Sequence, residues 1–210
     1  MNSGSPKADN LKKLSAGIIL SLLTAVMLIL SFHPHNIWFL ALVALVPMLV
    51  AQYRMFPRRW SGLAPAIGVG GWLLVFLSGM FGESQMGLVI KIIVLVIVIL
   101  DMVTIPAVRL FHEQTGFKWF VLQGIADWVG FEMIRSFIPP INTHAFIAQT
   151  MYSQPFMLLP VSVFSIYGLG MLIILINFVI TRTLINTPGS YLFSGTSGII
   201  QLSGKQKWNV

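Results

Sequence analysis

The sequence predicts an all-α, polytopic integral membrane protein with about six transmembrane helices. Three observations lead there. Of the 210 residues, 56% are apolar and 9% are charged, whereas an ordinary soluble domain carries about 25% charged residues. Mean hydropathy is +0.85. Charge-poor apolar runs also recur at close to the roughly 20 residues that a helix needs to cross the hydrocarbon core. A soluble domain of this size has too little interior to hide that much apolar surface.

Residues 1–13 are a polar, basic N-terminal tail with Lys7, Lys12 and Lys13. The membrane domain is expected at 14–184. Its first run, 14–32, holds 19 residues without a charge. It is longer than a signal-peptide core and no small-x-small cleavage site follows, so it reads as an uncleaved span. His33-Pro34-His35-Asn36 breaks it. The second run, 37–51, starts at an interfacial Trp38, is short, and contains Pro47, a residue that kinks helices. Arg54, Arg58 and Arg59 form a basic loop.

The third run, 61–81, is rich in glycine, and small residues let membrane helices approach closely. Gly68-x-Gly70 lacks the third glycine, the preceding strand and the acidic partner of a dinucleotide fingerprint, so it reads as packing. After a polar turn with Glu83, the fourth run covers 88–108, interrupted by Lys91 and Asp101. A polar loop at 109–118 leads to the fifth run, 118–137, which Pro139 and Pro140 end. Residues 141–155 read as an irregular surface or re-entrant loop. The sixth run is 156–184, with an interfacial lead-in to Pro160. Residues 185–210 are too polar for a confident seventh span and are expected to be a C-terminal tail or the remnant of one.

Thirteen Lys and Arg against six Asp and Glu give a net charge of +7. In a membrane protein such an excess reports orientation. With six spans and a cytoplasmic N-terminus, eleven of the thirteen basic residues fall inside, and only Lys91 and Arg135 fall outside. Both termini are therefore expected in the cytoplasm. No basic run is interleaved with aromatics, which argues against nucleic acid as a partner. The absence of cysteine from these residues excludes disulfides, thiolate metal sites and a thiol nucleophile on them.

Charges inside spans cost about 2.5–3.5 kcal/mol each on insertion scales, so each needs a reason. Asp101 and Asp127 lie eight and nine residues from the cytoplasmic ends of the fourth and fifth runs. At 1.5 Å per residue both sit roughly 12–14 Å deep. They read either as an intramembrane polar helix–helix contact or as part of a proton or cation path. Glu132 and Arg135 are three apart and share a helix face. They read either as a local ion pair or as a polar site facing the outer leaflet, where Arg135 holds a lipid phosphate. His33 and His35 straddle a proline, and with distant His144 they fall short of a convincing metal site, so no metal is expected. No serine stands in a nucleophile elbow, and no cofactor motif is present.

Three stretches carry a resemblance. Ser31-Phe32-His33-Pro34-His35-Asn36-Ile37-Trp38, followed by Leu45-Val46-Pro47, resembles the first hairpin of apolipoprotein N-acyltransferases, which reads S-F-P-P-[FY]-[DN]-x-W and then L-x-P. Trp128-x-x-x-Glu132-x-x-Arg135-Ser136 resembles that family's W-x-x-x-E-x-x-R-G helix. Tyr152-Ser153-Gln154, then Leu159-Pro160 and Tyr167-Gly168, resembles its G-Y-S-Q…L-A-P…G-V-Y-G stretch. The order and spacing agree across about residues 15–184. His33 and His35 replace a proline and an aromatic, and Asn142-Thr143-His144-Ala145-Phe146 stands where the family has G-F-P-W.

The resemblance implies a bacterial inner-membrane protein concerned with phospholipid-to-lipoprotein N-acyl transfer. It implies substrate or lipid contacts at Glu132, Arg135, Tyr152 and Gln154. Members of that family add a seventh helix and a periplasmic nitrilase-like domain with a Glu-Lys-Cys triad. The expectation here is a membrane half that is truncated, split or divergent, on which the family's thioester cannot form. Its expected partners are membrane phospholipid and either a separate nitrilase-like catalytic subunit or a lipoprotein. Size and topology also fit a second class, the small-solute or vitamin-binding subunit of a modular importer.

Overall fold

The computed structural model describes residues 6–139, 141–159 and 161–186. The elements are helical throughout, with no strand among the described residues. Helix α1 (Pro6–Ser31) is the first membrane-length segment. The second segment, Trp38–Met55, runs as a 3₁₀ turn (Trp38–Leu42), α2 (Val46–Val50) and a π turn (Ala51–Met55). The third, Arg58–Phe81, passes through a 3₁₀ turn (Arg58–Trp60), α3 (Leu63–Pro65) and a π turn (Ala66–Gly70) into α4 (Gly71–Phe81). Next come α5 (Gln85–Gln114) and α6 (Phe120–Ser136). A 3₁₀ turn (Ile147–Met151), α7 (Pro155–Leu158) and α8 (Val161–Asn186) complete the chain. Among the described residues five segments are long and apolar enough to cross a membrane. The fifth expected run forms the 17-residue α6, and the sixth expected run forms α8.

Composition explains the regular helices, and tertiary contacts explain the irregular ones. Ser84 caps α5 by accepting the Gly87 N–H at 3.1 Å. The helix then continues six residues past the expected boundary at Val108. Arg109 pairs with Glu113 one turn on, at 2.8 Å, inside the stretch expected to be a loop. The second segment is too short and too broken to satisfy its own backbone, and neighbours supply the missing partners. Thr24 Oγ1 of α1 accepts the Met48 N–H at 3.0 Å. Asn177 of α8, fully buried, accepts the Leu45 N–H at 2.9 Å and donates to Ala41 O at 2.9 Å.

Close approach of the third segment depends on Gly68. A Cβ there would lie 3.1 Å from Met48 Sδ and 3.2 Å from Ser21 O. Trp72, Phe32 and Phe76 pack as a ring cluster beside it, with Phe32 and Trp72 centroids 5.1 Å apart. The outward face of α5 stays apolar and exposed, at Leu88, Val89, Ile92, Leu95, Val96, Ile99 and Val103. That is the surface a lipid-facing helix presents.

Charge gathers at the two ends of the bundle. At one end Glu113 meets Arg58 at 2.5 Å and Arg109 at 2.8 Å, and Arg54 donates to the Ile185 carbonyl. Arg109 also donates to the carbonyls of Gln52, Phe56 and Tyr53 at 2.5, 2.7 and 3.1 Å, closing the π turn. At the other end Lys91 meets Glu83 at 2.9 Å.

Residues 141–155, expected to be surface or re-entrant loop, are irregular but well buried. Ile141, Ala145, Phe146, Ile147, Ala148 and Met151 are all inside. Pro140, Pro160 and the expected tail beyond Asn186 lie outside the described residues.

Candidate functional site

Helix α6 turns one stripe of side chains inward: Gly124, Asp127, Trp128, Phe131, Glu132 and Arg135. The spacing is three and four residues, as one helix face requires. Helix α5 turns a matching stripe toward it, with Ile97, Leu100, Asp101, Thr104, Ile105, Val108 and His112. The two helices are consecutive but pack elsewhere, α5 on α4 and α6 on α8. Between the two stripes lies a cavity of about 420 Å³, which Met48, Gln52, Tyr53, Leu73 and Phe178 also line. Gly124 leaves room for the Phe178 ring, which occupies the space where a Cβ would go.

Glu132 and Arg135 are 1% and 4% exposed, and both line this cavity. They share a face, as the spacing predicted, yet they do not meet in a direct ion pair. Each turns instead to the loop that follows α6. Glu132 Oε1 accepts from Trp128 Nε1 at 3.0 Å and from the Ile147 N–H at 2.9 Å. Arg135 Nη2 donates to Ala145 O at 3.1 Å, and its guanidinium lies 5.6 Å from the Phe131 ring centroid and 5.2 Å from that of Phe146. Cation–π contacts of this kind hold a guanidinium where lipid or water would otherwise be needed. Among the described residues Glu132 Oε2 and Arg135 Nε have no hydrogen-bond partner.

Tyr152 and Gln154 stand on the far side of that loop. Tyr152 is 52% exposed, and Gln154 donates to Ser153 Oγ at 3.4 Å. The clasped loop therefore ties the inner pair to the outer pair without putting all four in one pocket. Ring contacts continue the link, with Phe146 and Tyr167 centroids 5.6 Å apart and Tyr167 OH donating to Ser136 Oγ at 3.2 Å.

Asp101 and Asp127 line the cavity from opposite walls. No hydrogen bond joins the two carboxylates among the described residues, and Asp127 is met instead by the Gln123 side chain. His33, His35 and His144 are exposed, and His144 packs edge-on to Phe81 at 6.3 Å. Among the described residues no three His, Cys, Asp or Glu side chains gather as metal ligands would. One pairing escaped the sequence reading. Tyr53 OH and His112 Nδ1 share a hydrogen bond of 2.6 Å on the cavity wall, joining residues 59 positions apart. Nothing local in the sequence signals it.

Fold and site define a helical, polytopic membrane domain with a buried acidic and cationic pair clasping the loop that follows α6. The family model described as the apolipoprotein N-acyltransferase N-terminal domain matches residues 24–179, and the chain belongs to that family. It is similar to an apolipoprotein N-acyltransferase of Geobacter metallireducens (strain ATCC 53774 / DSM 7210 / GS-15), with 27% identity over 174 residues. The match covers 78% of this chain, and the chain spans about a third, 33%, of that curated relative's length. No solved structure matches.

Proposed function

We propose that this chain serves lipoprotein N-acylation as its membrane part, in a bacterial inner membrane, with both termini on the cytoplasmic side. In this reading the bundle presents phospholipid and seats a catalytic part, and the acyl-carrying nucleophile lies outside these 210 residues. The single observation that carries the reading is the family match over residues 24–179. The firmly held outer loop supports it, because a docking platform must keep its shape.

Within this proposal Tyr152 and Gln154 contact lipid or the catalytic part directly. Arg135 and Glu132 set the loop that carries them, and Arg135 faces the phosphate end of a lipid. The partners are membrane phospholipid and a nitrilase-like subunit or lipoprotein, with no nucleic acid.

Reconstitution tests it. The chain is placed in phospholipid vesicles with a diacylated lipopeptide and a separately supplied nitrilase-like domain. N-acylation should rise above that of the domain alone, and Arg135→Ala should reduce both the rate and the phospholipid retained on purification, while Arg182→Ala should not. Equal rates with and without the chain would overturn the proposal.

A further inference from the structure

Two turns at one end of the bundle each set a cation on an exposed tryptophan. Arg59 lies over the Trp60 ring, 5.9 Å from its centroid, and Lys118 over the Trp119 ring at 5.6 Å. All four residues are exposed. The first pair opens the membrane-length segment Arg58–Phe81, and the second stands just ahead of α6. Tryptophan at the end of a span marks the level of the lipid headgroups.

The two turns are tied together. Arg58 meets Glu113 at 2.5 Å, Arg109 donates to Phe56 O at 2.7 Å, and the Phe117 ring packs edge-on against Tyr53 at 5.4 Å. Between them the C-terminus of α5 is closed. Thr115 N–H donates to Phe111 O at 2.9 Å and Phe117 N–H to His112 O at 2.8 Å. Two carbonyls that would repel an anion are thereby withdrawn.

Charge at this end is unbalanced. Glu113 is already shared by Arg58 and Arg109. Arg59 and Lys118 make no hydrogen bond or ion pair among the described residues. A ring face attracts a cation but takes up few of its N–H groups, so most of the guanidinium and ammonium donors stay available. Cations held at headgroup depth, with apolar ring surface beside them, match a phosphodiester attached to acyl chains.

We propose that this end of the bundle binds an anionic phospholipid. Arg59 and Lys118 donate to its phosphate oxygens, and its glycerol and upper acyl carbons lie on Trp60 and Trp119. A zwitterionic lipid fits less well, because it brings its own ammonium to cations that have no acid to spare. The site is distinct from Arg135, which lies sixteen residues along α6 from Trp119, roughly 24 Å at 1.5 Å per residue. Orientation decides which leaflet supplies the lipid, and the binding itself does not depend on it.

The test titrates the full chain in maltoside micelles with dioleoylphosphatidylglycerol and dioleoylphosphatidylcholine. Native mass spectrometry reads the occupancy of each. The glycerol lipid should bind at least fivefold more tightly, and Arg59→Gln and Lys118→Gln should each cut that preference by about fivefold or to nothing. Trp60→Leu and Trp119→Leu keep charge and apolarity and should also lower it. Arg182→Gln removes an exposed cation without a tryptophan and should leave it unchanged. Arg135→Ala should weaken both lipids alike, so a failure at that residue is told apart from a failure here. Equal binding of the two lipids overturns the proposal. So does a preference that survives Arg59→Gln with Lys118→Gln, or one that Arg182→Gln lowers as much. Displacement of the lipid by equimolar inorganic phosphate overturns it as well.

Discussion

Glu132 of α6 accepts the backbone N–H of Ile147 at 2.9 Å, across a turn of fifteen residues. One carboxylate oxygen thus serves two donors, that amide and the Trp128 indole. The charged residue that looked like an insertion cost is therefore the anchor of the loop after α6. Removing it leaves two donors unmet in a dry place, at about 1–3 kcal/mol for a buried group. Glu132→Ala should lower the thermal unfolding midpoint in detergent and open the loop after α6 to protease. Glu132→Gln keeps an acceptor oxygen in reach and should restore most of both. A Gln variant as damaged as the Ala variant would show that charge, and not the hydrogen bonds, does the holding.

Asn177 poses the same problem from α8. Its side chain bonds Leu45 N–H, Ala41 O and Ile173 O, each at 2.9 Å. Hydrogen bonds between membrane helices average about 0.6 kcal/mol each, so Asn177→Leu should cost about 1–2 kcal/mol. The loss should be local before it is global. Amide exchange at Leu45 should quicken in the variant, with Val94 unchanged, and equal acceleration at both sites would contradict the assignment.

Gly124 and Phe178 form a fitted pair, the ring of one lying where a Cβ of the other would be. Gly124→Val should destabilise by about 1–3 kcal/mol, the usual cost of overpacking. Phe178→Ala alone leaves a void and also destabilises. Combined, the two changes should cost less than their sum, because the void admits the valine. Denaturant titration of the four proteins measures the coupling, and strict additivity would refute the fit.

How much of this was legible in the sequence depends on the range of the cause. Helices α1, α5 and α8 follow from their own apolar runs. The shared face of Glu132 and Arg135 follows from a spacing of three. What those side chains reach does not, because Ala145 and Ile147 return only when the loop packs inward. The mixed 3₁₀, α and π course of the second segment was also illegible. Its backbone partners are Thr24, Arg109 and Asn177, far away in sequence. Asp101 and Asp127 were legible as charges within the fourth and fifth runs but not as cavity walls, since the gap between α5 and α6 is made by what each helix packs against elsewhere.

Orientation can be tested directly because the chain has no cysteine, so a single introduced thiol reports one position. Arg54, Arg58 and Arg109 converge at one end of the bundle through Glu113 and Ile185. Helix α1 brings its N-terminal part to that same end, where a Cβ on Gly17 would touch Phe56 at 3.0 Å. The opposite end carries Glu83, whose side chain is 94% exposed, and its partner Lys91. Positive charge near span ends is retained on the cytoplasmic side. In intact bacteria, an impermeant maleimide should therefore label Glu83→Cys and spare Arg59→Cys, and opening the cells should expose the latter. Labelling of Arg59→Cys from outside would invert the bundle. The outer loop held by Glu132 and Arg135 would then face the cytoplasm, and a role in presenting lipid to an external catalytic part would fail with it.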